Sequence, residues 1–327
     1  MKAWKTELRT AQKALEASQL QGVLKKGFKP HRKGEYFFIP ITRKLAGVKG
    51  LLCQAVFEKR KERIDVKAAL GPKASGSFDL VGSIAIIEDH GAAKNKAFAK
   101  AIMQLHPRIK TVAVKGETAG KYRVRPLETV AGIDTARTLH KENGCVFEVD
   151  LNREYFSSRL SFERKRVASL VGKNECVLAL FAGVGPFPIE IAKASKTADV
   201  FAVEYNPNAV KRMRSNAKRN KVVMLIECAD VKVVLSRKEI TGWADRVLMT
   251  APHNAKDFLQ GTINSTKRGG IIHYYSFAAS KDGDKELAKD ARAACKATKR
   301  RFKRLGARVV STFSAGKVQW VLDFQAF

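Results

Sequence analysis

The spacing of apolar and polar positions changes character near Gly144. Before it the elements are short and mixed. The opening MKAWKTELRTAQKALEASQL alternates charged and apolar residues in a helix-like pattern. EYFFIPI, from Glu35 to Ile41, reads as a short strand flanked by Lys25-Lys26, Arg32-Lys33 and Lys59-Arg60-Lys61. GPKASGS, from Gly71 to Ser77, is a linker by composition. SFDLVGSIAIIED then predicts a strand from Leu80 to Ile87 and, beyond it, a helix from about Lys94 to Leu105. TVAVKG adds a strand, and Tyr122 to Lys141 is mostly extended. Two small α+β modules follow from this pattern, over residues 1–65 and 66–145.

Beyond Gly144, strand and helix patterns alternate. CVFEVDL precedes a loop and a helix from roughly Ser161 to Leu170. CVLALF, from Cys176 to Phe181, is a short apolar run of the buried parallel type, and it ends at AGVG before PIEIAKA turns helical. VFAVE (Val200 to Glu204) leads into NAVKRMRSNAKRN through Asn206-Pro207, where proline suits the first helical turn. VVMLIE, DRVLMT and GIIHYYSF supply three further strands. A last helix is predicted from about Lys285 to Leu305, then ARVVSTF and VQWVLDF as a hairpin around Ser314-Ala315-Gly316. Repeated βα units imply a doubly wound sheet. An antiparallel hairpin at its end is the particular closure of class I methyltransferases. The predicted fold is therefore α/β, a class I (Rossmann-like) methyltransferase domain over 146–327 with smaller N-terminal α+β domains.

Charge adds a partner to this picture. The 327 residues carry 62 Lys+Arg against 31 Asp+Glu, a formal charge of +31. Before Gly144 stand 29 basic and 13 acidic residues, after it 33 and 18, so both halves are basic by +16 and +15. A field of this kind recruits a polyanion by counterion release, and nucleic acid is the obvious candidate. With 45% apolar residues the chain is no disordered polycation. No run approaches the roughly 18 apolar residues of a membrane span, and the N-terminus lacks a signal-peptide block. A cytoplasmic monomer is expected, without membrane association. Five scattered cysteines without a CxxC pair, and six histidines without ligand spacing, predict no structural zinc.

Candidate chemistry gathers at strand ends. FAGVGPF, from Phe181 to Phe187, lies at a strand-to-helix turn, where Gly183 and Gly185 let the backbone approach a ligand. Glu204 ends the next strand, about 20 residues on, where an acid accepts hydrogen bonds from ribose hydroxyls. Asp230 ends the third, where a carboxylate commonly receives an adenine amino group. The plainer alternatives are a helix N-terminal charge for Glu204 and a turn or cap for Asp230. Tyr155 and Phe187 are candidates for stacking on a base or for core packing. His273 is more at home as pocket wall than as catalyst.

LNREYFSSRLSFERKRVASL, FAGVGPF, VEYNPNAVKRMRSNAKRNKV, ADRVLMTAPHNAKDFL and GGIIHYYSF resemble the archaeal and eukaryotic tRNA guanine-37 N1-methyltransferases. Close siblings of that family are the wybutosine-pathway aminocarboxypropyl transferases. SFDLVGSIAII and VRPLETVAG resemble its middle domain, and the first 65 residues match its small basic RNA-contacting module in character. The resemblance implies tRNA as partner and S-adenosylmethionine as methyl donor. It implies a cofactor shell of Arg164, Phe181, Gly183, Gly185, Glu204, Tyr205, Asp230, Val231 and Thr250. It also implies that Arg159 steadies the guanine carbonyl oxygen and that Glu204 accepts the N1 proton. Three positions depart from the family pattern. Ala179 stands where an acid is usual, Thr250-Ala251-Pro252 replaces Asn-Leu-Pro, and Ser83 replaces an aspartate. The departures leave two alternatives to guanine methylation, a wyosine-pathway transferase and a noncatalytic tRNA-binding protein.

Overall fold

The computed structural model describes every residue except 60–75, 118, 119, 121, 123, 252–254 and 315. The chain forms two compact units, Met1–Asp65 and Val66–Phe327. In the first, β1 (Lys2–Glu7), α1 (Ala11–Leu20), β2 (His31–Lys33), β3 (Tyr36–Pro40) and β4 (Leu51–Gln54) build a sheet of order β2-β3-β1-β4. Trp4, Ala14, Val23, Ile39, Ile41 and Leu45 fill its core. The expected opening helix is thus partly a strand. Trp4 and Thr6 are buried at a two-residue period between β3 and β4, so sheet pairing overrides the helix-like charge spacing.

The second unit opens with β5 (Phe78–Val81), β6 (Ile84–Ile87), α2 (Ala92–Leu105), β7 (Thr111–Lys115) and β8 (Leu127–Gly132), in sheet order β5-β6-β7-β8. The single strand expected from Leu80 to Ile87 is a hairpin. Gly82 turns it at φ +56, and the Ser83 backbone N–H donates to the Thr138 hydroxyl at 2.9 Å. β9 (Arg137–Glu142) and β10 (Cys145–Asp150) follow as a second hairpin. Its open edge is covered by two side-chain amides of α5 (Pro207–Arg219) and its cap. Asn216 and Asn220 accept from the Glu148 and Val146 N–H groups, both at 2.8 Å, and donate to the same residues' carbonyls at 3.0 and 2.8 Å. This imitates a neighbouring strand and closes an edge that would otherwise invite pairing.

The largest sheet contains β11 (Cys176–Leu180), β12 (Asp199–Glu204), β13 (Leu225–Cys228), β14 (Ala244–Met249), β15 (Thr266–Ala279), β16 (Phe302–Ser314) and β17 (Lys317–Ala326). Its order is β13-β12-β11-β14-β15-β17-β16, parallel through β15, with β17 antiparallel to both β15 and β16. This is the class I methyltransferase arrangement. α3 (Ser161–Leu170), α4 (Pro186–Ala194), α6 (Val231–Leu235), α7 (Leu259–Ser265) and α8 (Gly283–Ala297) complete the unit with α5. Val177, Leu178, Ala179 and Leu180 are all at most 1% exposed, as a strand covered on both faces requires. β11 lies between β12 and β14, and the chain leaves it in opposite directions, which opens a crevice at the carboxyl ends of these strands.

One helix ends eight residues early. α8 stops at Ala297, Lys299 turns at φ +55, and Phe302 begins an edge strand with its ring 5.5 Å from that of Phe324. Burial of Phe302 against β17 outweighs the helix propensity of the surrounding lysines and arginines. The basic cluster from Lys299 to Arg304 therefore lies on a turn and an edge strand, and not in a terminal helical turn. Of the other expected segments, residues 71–75 of the linker, Arg60, Lys61 and Ala315 lie outside the described residues.

Candidate active site

The glycine turn leaves β11 in a left-handed conformation. Phe181 has φ +57, Gly183 +57 and Gly185 +88, and α4 starts at Pro186. The Ala182 N–H donates to the Val203 carbonyl at 3.0 Å, which ties the turn to β12. The two glycines have different reasons. A Cβ on Gly185 would lie 2.6 Å from Met213 Cγ and 2.9 Å from Ile189 Cδ1, so helix packing demands its absence. A Cβ on Gly183 would meet nothing nearer than the Tyr155 carbonyl at 3.7 Å. Gly183 therefore presents bare backbone to open space, a cradle of the kind a nucleoside fills.

Glu204, at the end of β12, faces the same turn. Oε2 accepts from the Gly183 N–H and Oε1 from the Asn206 N–H, both at 2.8 Å. The Tyr205 N–H also donates to this carboxylate, so three backbone donors hold it. Burial pushes its carboxyl above the ordinary value, against the opposing pull of these backbone donors. The neighbouring Tyr205 is half exposed, with its ring centroid 5.9 Å from that of Tyr122. Asp230 is exposed and caps α6, accepting from the Lys232 N–H at 2.8 Å through Oδ1. β13 ends two residues before it, and its cap role was the plainer of the two expectations. Val231 is 2% exposed and belongs to the core behind the crevice.

Thr250 follows β14 and reaches back to β11. Its hydroxyl lies 2.9 Å from the Phe181 carbonyl and 3.1 Å from that of Leu180, so its one proton serves the strand end. Phe181 in turn stands edge-on to Phe258, with ring centroids 5.0 Å apart. Gly183, Glu204, Phe181 and Thr250 thus form one contact chain across the ends of β11, β12 and β14. Pro252 and His253 lie outside the described residues.

The two arginines differ sharply. Arg159 is on the surface, paired with Asp79 at 2.5 Å, while Lys115 approaches the other oxygen of Asp79 at 3.5 Å. Arg164 is 1% exposed. Its Nε lies 2.7 Å from Glu142 and 3.6 Å from Glu190, and its Nη2 donates to the Ser157 carbonyl at 2.9 Å. The guanidinium thereby holds the segment between Tyr155 and Arg159, whose Tyr155 carbonyl borders the Gly183 cradle. Glu190 was not anticipated. Burial first, then the adjacent Glu142 carboxylate, push it up to about 8, while Glu142 is held below the ordinary value by His140 and Arg164 against its own burial. An acid within the apolar run PFPIEIA is the one sequence signal of such a pair, since a buried carboxyl needs a partner or a proton.

His273 is buried between Asp323 (Nδ1 to Oδ1, 2.7 Å) and Arg246 (2.9 Å from Nε2). Tyr155 is 67% exposed and Phe187 only 5%, so stacking is open to the first and packing falls to the second. Among the described residues no group of three His, Cys, Asp or Glu side chains is arranged to hold a metal, and no helix is long and apolar enough to cross a membrane.

Residues 138–303 match the TRM5/TYW2 methyltransferase domain, and residues 62–135 match the TYW2 N-terminal domain. The chain belongs to this family. It is 33% identical over 312 residues to the tRNA (guanine(37)-N(1))-methyltransferase Trm5b of Pyrococcus abyssi, covering 93% of this chain and 92% of that one. The crystal structure of the same organism's Trm5b superposes with a TM-score of 0.78 at 30% identity, over 100% of this chain and 99% of that one. A Methanocaldococcus jannaschii tRNA(Phe) (4-demethylwyosine(37)-C(7)) aminocarboxypropyltransferase is 33% identical over 208 residues, 62% of this chain and 79% of the relative.

Within this TRM5/TYW2 chain two of the departures have local reasons. Ala179 packs among Ala182, Ala202, Val210 and Met213 in a small apolar cluster. The Ser83 hydroxyl sits 3.2 Å from that of Thr138, holding the β5–β6 turn onto β9.

Proposed function

We propose that this protein transfers the methyl group of S-adenosylmethionine to N1 of guanine at position 37 of tRNA. The carrying observation is the Gly183 cradle closed by Glu204 in a chain that matches its family over nearly its whole length. The residues at the crevice fit the donor. Gly183 offers backbone approach, Glu204 presents a carboxylate fixed by backbone donors, and Asp230 has a second oxygen at the third strand end. Phe181, Gly185, Tyr205, Val231 and Thr250 shape the surrounding walls. We assign Arg164 to the same shell through the segment it holds.

S-adenosylmethionine, when bound, supplies a sulfonium-activated methyl. The rest of the work falls to the chain. Guanine N1 carries a proton near neutrality, so its lone pair must be freed as the N–C bond forms. Glu204 receives that proton, and its raised affinity for protons suits the task. Arg159 leaves Asp79 for the guanine carbonyl oxygen, where negative charge grows. Holding base and donor in line supplies much of the remaining acceleration. We further propose a cytoplasmic monomer with residues 1–65 as RNA-contacting module, 66–145 as middle domain and 146–327 as transferase domain.

The TYW2-type match over residues 62–135 favours one second reading, transfer of the aminocarboxypropyl group to a wyosine precursor. The test supplies tRNA with guanine or inosine at position 37 and donor labelled separately on methyl and on the aminocarboxypropyl chain. Methyl label in the guanine transcript is expected. Arg159→Ala and Glu204→Gln should each slow its transfer by about 100-fold or more. Aminocarboxypropyl label would establish the second reading, and no label with tRNA still bound would leave a binding protein.

A further inference from the structure

A second basic surface lies away from the crevice, on α8 and the edge strand β16. Lys285, Lys289, Arg292 and Lys296 recur at four, three and four residues, so they share one helical face. Together with Arg304, and with Ala288 and Ala293 as floor, they line a shallow groove of about 480 Å³. The stripe is about 16 Å long at 1.5 Å per residue. Two of its charges are compensated, Lys285 by Asp282 at 2.7 Å and Arg304 by Asp284 at 2.9 Å. Lys289, Arg292 and Lys296 are exposed and have no carboxylate within ion-pair distance among the described residues. Arg292 is held in place over the Phe302 ring, 5.4 Å from its centroid.

Such an arrangement costs self-repulsion and contributes nothing to the core, whereas a phosphate backbone would neutralise it. Its position fits the substrate. β14 and β15 run parallel, so both end on the carboxyl side where the crevice opens; β15 continues five residues past Tyr274, the partner of Met249, and α8 starts four residues after Ala279. The stripe therefore starts on the carboxyl side of the sheet, beyond the level of Met249, and runs back along one side of the domain. The residues that line the groove are lysine, arginine and alanine, without the row of bulky apolar side chains that a membrane-seated helix needs. We propose that the α8–β16 groove grips phosphates of the stem that carries the target nucleotide, a backbone contact separate from the site that reads the base. The proposal rests on tRNA being the substrate.

The test is the full-length variant Lys289→Gln/Arg292→Gln/Lys296→Gln, with Lys289→Gln/Lys296→Gln as a second variant that keeps the Arg292–Phe302 contact. Methyl transfer to tRNA is followed from dilute to physiological salt. The triple variant should raise KM for tRNA at least 10-fold near 0.15 M salt and leave kcat and the melting temperature unchanged. The slope of log(kcat/KM) against log salt should become shallower by about 2.7, that is 0.9 for each of three phosphates. The double variant should lose about 1.8. Unchanged KM and slope in both variants would overturn the proposal. So would lost retention on vesicles containing phosphatidylserine with tRNA affinity intact, since the face would then serve a membrane. If wild-type protein incorporates no methyl label, the functional reading fails on its own. Filter binding of tRNA then reads the same slopes and decides the groove separately.

Discussion

Replacing Glu190 with glutamine should make the protein more stable in alkali. Glu190 is 4% exposed, accepts from Asn143 Nδ2 at 2.8 Å through Oε2, and turns its other oxygen to Glu142. Burial and the Glu142 charge hold its proton on up to about 8. In the unfolded chain that proton leaves near the ordinary value of 4.5. Between these values the native state binds more protons than the unfolded state, so stability falls as pH rises and the loss is complete once pH passes the folded value. At 1.36 kcal/mol per unit the full linkage is roughly 4–5 kcal/mol; with relaxation and water entry, about 2–4 kcal/mol is expected. Glu142, held low by His140 and Arg164, works the opposite way, with stability present above 4.5 and lost toward acid. Glutamine is neutral at every pH, accepts from Asn143 and donates to Glu142, so it reproduces the protonated acid. Urea denaturation at pH 6 and pH 9 reads the difference. Only the stretch from pH 6 to about 8 is sampled, so wild type should lose about 1–2 kcal/mol more than Glu190→Gln between the two. Parallel profiles, or a variant weaker at pH 9, would refute a shared proton at this pair.

Gly185→Ala should destabilise the fold by about 2 kcal/mol or more, since its Cβ meets Met213 at φ +88. Gly183→Ala should cost roughly 1–2 kcal/mol of backbone strain and lower donor affinity more than 10-fold by calorimetry; wild-type affinity would remove Gly183 from the cradle. Asp323→Asn should cost about 3–5 kcal/mol in urea unfolding at pH 7, because it strips the partner of His273 and Arg166. Hydrogen bonding to His273 and the Arg166 charge hold Asp323 down to about 2 despite its burial. Its contribution is therefore present above 3.8 and lost as pH falls from there through about 2, so the variant and wild type should converge in strong acid.

The sequence displays best what depends on unbroken runs. CVLALF and VFAVE read as buried parallel strands because no polar residue interrupts their apolar runs, and each lies between two neighbouring strands of the sheet. Gly183 and Glu204 are brought within 2.8 Å by the register of β11 and β12, which the strand–turn–helix spacing already implies. Local propensity fails where a single side chain decides. Phe302 turns a helical run into an edge strand, Gly82 splits an apolar run into a hairpin, and Trp4 draws a helix-like start into a sheet. Polar pairs across long separations are invisible from spacing. Asp79 and Arg159 are 80 residues apart, His273 and Asp323 50, and Asn143 and Glu190 47.

Energetics separate the two arginines that the family pattern puts side by side in YFSSRLSFER. Arg159 is 45% exposed, and a surface pair of its kind is worth about 0–1 kcal/mol, so exchanging Asp79 for a growing negative charge on a base costs little. Lys115 then remains beside Asp79 to take up its charge. Arg164 has no such freedom. Withdrawing it would leave Glu142 charged and buried, a loss of about 3–5 kcal/mol, and would release the Ser157 carbonyl. That carbonyl belongs to the segment bearing both the Tyr155 carbonyl at the edge of the Gly183 cradle and Arg159 itself. Buried charge therefore fixes the segment, and its exposed charge is left mobile enough to meet a substrate. The same division explains why the carboxyls beside Arg164 retain one proton between them. With Glu190 neutral the cluster of Glu142, Arg164 and Glu190 is balanced, and the support beneath the site carries no net charge to compete with the charges that form above it.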